Sequence, residues 1–414
     1  MRKYLACALT SLLLVASCGG GGSSFTTPPP PPMSGPNVAT LIVDSGPAGT
    51  VNEAFVSVTI CQPGSTSNCQ TITGIQVDTG SSGLRIISSV LNASLLAALP
   101  QQTVGGTTTP VVECAQFADG YTWGPVVTAD VTVASEKASG IPIQVIGSPS
   151  FTQVPAACSS PVPNAENTVA TLFANGLIGV GVFLQDCGSF CATNVVAGTY
   201  YQCPTNGGAC ASIMESVNLQ VANPVGAVAA DNNGVIVELP SVPANGAATA
   251  TGTLVFGIGT ASNNSLGSAT PLATDLSTGT ITVTFNGNTL SQSFLDSGSD
   301  AYIFTDSSLS ACAANSVGSG FYCETMPASL SATIKTVAGM QLAANFTVGD
   351  ATSMFQIMPL PTALPQLGAP LTAPAGPPLP PTFDFGLPLF YGRNVYTAIE
   401  TRAAGGTTGP YFAY

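Results

Sequence analysis

Histidine is absent from the 414-residue sequence, and positive charge is scarce. Without an imidazole side chain, Ser-His-Asp and Cys-His catalysis and zinc sites with histidine ligands are excluded. Lysine and arginine total 7 against 20 aspartates and glutamates, which gives a formal net charge of −13. So few cations exclude the phosphate-binding surface that recognition of DNA or RNA requires. We therefore expect no nucleic-acid partner.

Charged residues of either sign make up 7% of the chain, whereas hydrophobic residues make up 45%. An intrinsically disordered chain would show low hydrophobicity and high charge, so disorder is excluded outside the ends. The sequence is rich in Thr, Ser and Val, and it contains 45 glycines and 33 prolines. Turn-forming residues between segments of strand-forming ones predict a mostly β protein.

The first eighteen residues predict a lipoprotein signal peptide. Arg2 and Lys3 precede an apolar run, 4–16, that is short for a membrane span. The run ends at Cys18 in a Leu-Val-Ala-Ser-Cys stretch that resembles a bacterial lipobox, where the signal is removed and the cysteine is lipidated. The alternative is an ordinary secretory signal with an incidental cysteine.

The composition of residues 19–37 predicts a tether. A Gly- and Ser-rich stretch is flexible, and the run of five prolines that follows is a stiff spacer. Gly19, rather than an aspartate, follows the cysteine, which is typical of outer-membrane lipoproteins. We therefore expect an exported protein, on the periplasmic or surface face of a bacterial envelope, that contacts the membrane through its lipid only.

Ten cysteines remain once Cys7 and Cys18 are set aside from the total of 12. An even number in an exported protein predicts disulfides. A metal cluster built from these thiols would need a reducing compartment, so we expect no metal and no other cofactor. Proximity along the chain suggests Cys61–Cys69, Cys114–Cys158 and Cys312–Cys323, with two bridges of open connectivity among Cys187, Cys191, Cys203 and Cys210.

Two hairpins in the sequence end in the same four-residue pattern. The first alternates over 55–60 and returns over 71–77; the second alternates over 280–285 and returns over 289–295 after an Asn-Gly turn. The returning strands run into Asp78, Thr79, Gly80 and Ser81 in the first copy and into Asp296, Ser297, Gly298 and Ser299 in the second. An apolar-Gly group follows each copy at a similar distance, which strongly indicates a duplication.

Over residues 38–414 the chain resembles the pepsin-like aspartic proteases. The resemblance follows the family's order of motifs: 77–84 for the first active-site loop, 175–181 for an apolar-apolar-Gly motif, 252–259 for an interlobe strand, 294–299 for the second loop and 395–400 for a C-terminal strand. Asn223, Pro224 and Val225 also resemble the hallmark tripeptide of an uncharacterised family of exported bacterial proteins.

The resemblance implies an all-β, bilobal fold of two pseudo-symmetric lobes, each of the six-stranded-barrel type, with a cleft between them. The N-terminal lobe would span 38–250 and the C-terminal lobe 251–414. At the matching positions it implies a catalytic pair, Asp78 and Asp296, in the cleft. Supporting roles fall to Thr79 and Ser297 across the pseudo-twofold axis, to Ser81 and Ser299 on the outer carboxylate oxygens, and to Gly80 and Gly298 in the sharp turns.

The chemistry of such a pair follows from electrostatics. Two carboxylates held a few Å apart cannot both ionise, so one pKa rises and the pair shares a proton. The ionised member can take a proton from water while the protonated member polarises a substrate carbonyl. The alternative is that the two Asp-Gly segments only form turns.

A hairpin is predicted over 111–127 around an Asp-Gly turn, where the resemblance implies a flap over the site. Phe117 stands in the place of the family's flap tyrosine and cannot donate its hydrogen bond. Tyr121 and Trp123, the only tryptophan, lie just beyond the turn. Contact with substrate and packing of the hairpin surface are both open for these three aromatic residues.

Other positions depart from the family pattern. Asp384 occupies an apolar slot, where burial of an unpaired carboxylate is costly, and Arg85 replaces an apolar aromatic residue. Asp300 is either a subsite for cationic substrate side chains or a solvated turn residue. We expect 187–210 to be a disulfide-braced insertion and 358–381 to be a surface loop.

Two functions follow from these observations. The first is an aspartic endopeptidase, a monomer that cuts extended peptide or protein substrates with apolar side chains beside the scissile bond. The second is a catalytically silent pepsin-like protein with a binding or structural role in the bacterial cell envelope.

Overall fold

The alternating hydrophobic segments form β-strands joined by short helices in the computed structural model of the protein. It describes residues 34–160, 162, 164–204, 208–371 and 381–414. These belong to the second of the two units into which the chain divides, Pro32–Tyr414. The predicted signal peptide 1–18, with Cys18, and most of the predicted tether lie outside the described residues.

Strands dominate the secondary structure, as the composition predicts. The strands are β1 Val38–Val43, β2 Ala54–Cys61, β3 Cys69–Asp78, β4 Ser82–Ile87, β5 Val111–Gln116, β6 Tyr121–Val133, β7 Glu136–Ile146, β8 Gly176–Val180, β9 Tyr200–Gln202, β10 Ala211–Ser212, β11 Gly234–Leu239, β12 Ala250–Phe256, β13 Pro271–Ala273, β14 Ile281–Phe285, β15 Asn288–Leu295, β16 Tyr302–Phe304, β17 Cys323–Lys335, β18 Gln341–Asp350, β19 Gly368–Pro370, β20 Asp384–Phe385, β21 Arg393–Ala398, β22 Ala403–Ala404, β23 Thr407–Thr408 and β24 Tyr411–Ala413.

The helices are short. The α-helices are α1 Ala93–Ala98, α2 Ala156–Ser159, α3 Val169–Leu172, α4 Ser189–Thr193, α5 Pro224–Ala227 and α6 Ala351–Phe355, and the 3-10 helices are Ser88–Val90, Val217–Leu219 and Leu387–Leu389. In the described part of the chain, no helix combines the length and apolar character needed to cross a membrane.

The described strands form three sheets. The largest has 15 strands in the order β10-β9-β5-β6-β7-β4-β8-β3-β2-β1-β12-β11-β21-β24-β13, and β6 also pairs with β2, which curves the sheet toward a barrel. A second sheet has seven strands, β18-β17-β14-β15-β20-β16-β19, and a third joins β22 to β23. The fold is therefore mostly β with barrel-like sheets.

The same local arrangement occurs once in each large sheet. In the first, β3 runs parallel to β8, which places Asp78 beside Gly179, and β4 returns antiparallel to β8. In the second, β15 runs parallel to β20, and β16 returns antiparallel to β20. Each Asp-[Thr/Ser]-Gly-Ser segment thus connects two strands that flank a third, so the duplication seen in the sequence extends to strand pairing.

Five disulfides brace the structure. They are Cys61–Cys69, Cys114–Cys158, Cys187–Cys191, Cys203–Cys210 and Cys312–Cys323. The three pairs suggested by proximity are formed, and the open group of four pairs with its nearest neighbours. Disulfides persist in oxidising compartments, so these bridges indicate an exported environment.

Candidate active site

The two Asp-Gly loops are tied together by reciprocal hydrogen bonds. The Thr79 backbone N–H donates to Ser297 Oγ at 3.1 Å, and the Ser297 backbone N–H donates to Thr79 Oγ1 at 2.9 Å. Each hydroxyl then donates across to the opposite strand, Thr79 to the Leu295 carbonyl at 2.9 Å and Ser297 to the Val77 carbonyl at 2.7 Å. Both side chains are fully buried. Four hydrogen bonds in a symmetric set therefore fix one loop against the other.

Glycine is required in both loops because the opposite carboxyl group comes so close. A Cβ atom at Gly80 would lie 2.5 Å from Asp296 Cγ, and one at Gly298 would lie 2.9 Å from Asp78 Cγ. Atoms do not approach to 2.5 Å without displacement, so any side chain at Gly80 would push the loops apart. The closeness itself follows from the hydrogen bonds between Thr79 and Ser297.

Asp78 and Asp296 are close neighbours: a Cβ atom at Gly298 would lie 2.9 Å from Asp78 Oδ1 and 3.1 Å from Asp296 Oδ1. Asp78 is 4% exposed. The Gly80 backbone N–H donates to its Oδ1 at 2.7 Å, and the Ser81 hydroxyl donates to its Oδ2. The Gly298 backbone N–H donates to Asp296 Oδ1 at 2.8 Å in the same way. The structure thus brings together the two aspartates that the sequence singled out 218 residues apart.

The outer oxygen of Asp296 differs from that of Asp78. Ser299, the counterpart of Ser81, lies 3.4 Å from Asp296 Oδ2 but 2.6 Å from Asp384 Oδ2. Burial raises the pKa of Asp296 well above its ordinary value, and the charges of Asp78 and Asp384 raise it further. Both influences favour the protonated form of Asp296.

A second group of carboxyl groups continues from this site toward the hairpin turn. The Asn52 side chain donates to the Asp300 carbonyl at 2.7 Å, which places the neighbouring Glu53 beside the second loop. Burial raises the pKa of Glu53 to about 8, and the charges of Asp300 and Asp119 contribute. Burial and then the charge of Asp119 raise the pKa of Asp300 to about 6. Asp119 stands at the tip of the 111–127 hairpin, so this tip acts electrostatically on the second loop.

The hairpin has the predicted strands, but its aromatic residues divide into two environments. Tyr121 and Trp123 are 6% and 2% exposed and pack with Cys114, Cys158 and Tyr201 in a small core. The indole N–H of Trp123 donates to the Phe151 carbonyl at 2.8 Å. The structure therefore favours packing over substrate contact for these two residues. Phe117, half-buried beside the turn, is the aromatic residue of the three that retains a partly open face.

Arg85 lies beneath Phe117 in a buried ion cluster. Its guanidinium carbon is 5.8 Å from the centre of the Phe117 ring. Arg85 Nη2 lies 2.6 Å from Glu113 and 3.5 Å from Asp186, and the Tyr200 hydroxyl donates to Asp186 at 2.7 Å. Arg85 stands on β4 and Glu113 on β5, so the ion pair fastens the base of the hairpin to the strand that follows Asp78.

The 187–210 insertion also supports the hairpin, which the sequence did not indicate. Its strand β9 pairs with β5, aligning Val112 with Tyr201. The Tyr201 ring meets Trp123 edge to face at 5.3 Å. Tyr200 and Tyr201 are both buried. The insertion is therefore part of the hairpin sheet as well as a disulfide-braced segment.

One group of three potential metal ligands occurs among the described residues, but it does not form a metal site. Cys312, Cys323 and Asp350 have potential ligand atoms within 4.8 Å of one another. The two cysteines are joined in a disulfide, whereas metal binding by cysteine requires the thiolate.

Sequence comparison defines the family. Residues 33–414 match the family described as "Protein of unknown function (DUF3443)", and the chain belongs to it. This match agrees with the expected resemblance to an uncharacterised family; the bacterial and exported nature of its members stays a prediction. No curated protein matches the chain.

Comparison with solved structures finds a match to the aspartic proteinase from Irpex lacteus. It is 16% identical in sequence, and the similarity covers 91% of this chain and 96% of that chain with a TM-score of 0.46.

Proposed function

We propose that the protein is an aspartic endopeptidase, which hydrolyses peptide bonds with a water molecule activated by Asp78 and Asp296. The observation that carries this proposal is the reciprocal hydrogen bonding of Thr79 with Ser297, which holds two carboxyl groups face to face. Loops that merely turned the chain would not need to bring two like-charged groups into one buried place, at an electrostatic cost. Such perturbed pairs are typical of catalytic sites.

The surroundings of the two carboxyl groups suggest their roles. Asp78 accepts hydrogen bonds on both oxygens, from the Gly80 backbone N–H and the Ser81 hydroxyl, so we assign it the role of the base. Asp296, whose pKa is raised, holds the proton. Asp78 takes a proton from the attacking water, and Asp296 gives its proton to the carbonyl oxygen of the scissile bond. Breakdown of the resulting diol returns a proton to Asp296, while Asp78 passes the other proton to the leaving nitrogen.

We propose further that the chain forms two pseudo-symmetric lobes, 38–250 and 251–414, with the aspartates in the cleft between them. Strands from both segments would then share the 15-stranded sheet, because β13, β21 and β24 join it from the C-terminal segment. Such a cleft would bind an extended peptide with apolar side chains beside the scissile bond. The protein would act as a monomer, exported and attached through lipid at Cys18 to a bacterial membrane. The five disulfides support export.

The test is hydrolysis of an unfolded protein substrate between pH 3 and pH 8. Asp78→Asn should lower the rate by at least about a thousandfold, because Asn cannot accept the proton of the attacking water. Asp350→Asn is the matched control: Asp350 caps α6, a role that asparagine can also fill, and should be dispensable for turnover. Undiminished hydrolysis by Asp78→Asn would exclude the proposed mechanism.

The second candidate function is peptide binding without turnover, by a silent relative in the cell envelope. Phe117 favours it, because a phenyl ring in the hairpin offers no hydroxyl to the site. A statine-type transition-state analogue separates the two candidates. An active protein should bind it with an affinity that Asp78→Asn abolishes; a silent one should neither bind it nor hydrolyse any substrate over the same pH range.

A further inference from the structure

The hydroxyl of Ser299 has one proton and two carboxylate neighbours. Asp384 Oδ2 lies at 2.6 Å and Asp296 Oδ2 at 3.4 Å. The shorter distance is that of a charge-assisted hydrogen bond and the longer one is beyond its usual range. Ser299 therefore donates to Asp384. In the other loop, Ser81 donates to Asp78, so the two halves of the duplicated site differ at this one bond.

Asp384 is placed by strand register. It stands on β20 opposite Phe294, between two buried phenylalanines, Phe383 and Phe385, whose rings stack at 4.2 Å. Because side chains alternate along a strand, the carboxyl group points away from these rings. It is 9% exposed, and its Oδ1 atom has no hydrogen-bond partner in the structure. A buried, half-paired carboxyl group is costly, so a structural role alone gives no reason for it.

Among the described residues, the charged groups that shift the pKa of Asp384 are carboxylates. Asp78 and Asp300 act on Asp384, and Asp384 in turn acts on Asp296. Burial, with the charges of Asp78 and Asp300, raises the pKa of Asp384 to about 7, against the bond from Ser299, which lowers it. Asp384 thus changes charge near neutral pH, next to the proton that the pair shares.

We propose that Asp384 is a positioning residue that assigns the shared proton to Asp296. The inference rests on the proposed function and deepens it. By drawing the Ser299 hydroxyl away, Asp384 leaves the outer oxygen of Asp296 without its donor, which disfavours the ionised form of Asp296. When ionised, Asp384 also adds a negative charge beside the pair. Both effects retain the proton at Asp296, so the pair remains singly protonated to higher pH than it would alone.

Two variants separate the two effects. Asp384→Asn removes the charge but keeps an oxygen that accepts from Ser299. Asp384→Leu removes both, and the freed hydroxyl can turn to Asp296. The upper pKa of the pair should therefore fall by about one unit in Asp384→Asn and further in Asp384→Leu. Asp350→Asn, at the N-terminus of α6, removes a carboxyl group elsewhere and should leave this pKa unchanged.

The measurement is titration of the aspartate side-chain carbons by ¹³C NMR in the full chain, with Asp78→Asn and Asp296→Asn identifying the signals of the pair. It needs no turnover, so it reads the role of Asp384 even if the endopeptidase proposal fails. If hydrolysis occurs, the alkaline limb of its pH profile should move to lower pH in the same order of variants. Thermal denaturation first checks that the unmodified chain and both variants are folded. If the upper pKa of the pair is then the same in all three proteins, the inference is overturned.

Discussion

Ionisation of the buried Glu53 should lower the free energy of unfolding as the pH rises, and replacing Glu53 by glutamine should prevent this decrease. Glu53 is 8% exposed, and its Oε1 accepts a hydrogen bond from the Thr50 hydroxyl at 2.8 Å. Its Oε2 has no hydrogen-bond partner in the structure. Glutamine keeps the oxygen that Thr50 needs and has no charge to bury. The substitution therefore isolates the cost of ionising this buried group.

The sign and size follow from the pKa. Burial, more than the charges of Asp300 and Asp119, raises the pKa of Glu53 from 4.5 to about 8. Above pH 4.5 the unfolded chain releases this proton while the folded chain keeps it, so stability falls with rising pH until the folded group ionises near pH 8. At 1.36 kcal/mol per pKa unit, the loss is at most about 5 kcal/mol. Below pH 4.5 both states are protonated and the loss vanishes.

Urea unfolding at a series of pH values from 4 to 8.5 measures this effect, and the buried Trp123 provides the fluorescence signal. Glu53→Gln should match the unmodified chain near pH 4 and exceed its free energy of unfolding by several kcal/mol at pH 8. Glu324→Gln, on β17, is the control for the same chemical replacement elsewhere in the chain, and the effect of Glu53→Gln is taken relative to it. A stability difference between Glu53→Gln and the unmodified chain that does not vary with pH would refute the reasoning.

Two further substitutions, and a third that serves as a control, test the site and its support. Gly298→Ala should abolish hydrolysis while the chain still folds, because the added methyl would lie 2.9 Å from Asp78 Cγ. Activity assays measure the first effect and circular dichroism the second. Full activity would contradict the close approach of the second loop to Asp78. Arg85→Met should lower the free energy of unfolding by about 3 kcal/mol or more, because Glu113 is left buried without its cation. Lys137→Met removes a half-exposed cation from Asp130, which keeps hydrogen bonds from the Gly64 and Gly140 backbone N–H groups. It should cost at most about 1 kcal/mol in the same urea experiment; equal losses for Arg85→Met and Lys137→Met would contradict the assigned burial costs.

The elements that could be predicted from the sequence are those with local signals. The Asn286-Gly287 turn is formed as predicted, with φ of 47° and 75° at the two residues, because only a few residue types adopt this conformation readily. The disulfides join cysteines that are close along the chain, apart from Cys114–Cys158, which spans 44 residues. The two Asp-Gly loops were identifiable because each follows an alternating strand.

The contacts that could not be predicted are those between distant, individually unremarkable residues. No local feature indicates that β9 would extend the hairpin, or that Arg85 would meet Glu113 and Asp186. The 358–381 segment was expected to be a surface loop. The structure confirms this for its first residues, since Met358 and Leu360 are exposed. Leu364 and Leu367, in contrast, are fully buried and β19, Gly368–Pro370, pairs with β16, so this later part belongs to the core. The proline- and alanine-rich composition of the segment did not indicate this burial, because burial depends on a partner strand far along the chain.

The scarcity of cations contributes to the raised pKa values of the carboxyl groups at the candidate site. Arg85 forms an ion pair with Glu113, and Arg393 and Arg402 donate hydrogen bonds to backbone carbonyls. The charges that act on Glu53 and Asp384 are all carboxylates. A buried carboxyl group without a cation lowers its energy by keeping its proton. Burial without a neighbouring cation therefore raises the pKa values of Glu53 and Asp384. These two groups lower the stability of the folded state as the pH rises above the ordinary pKa of a carboxyl group.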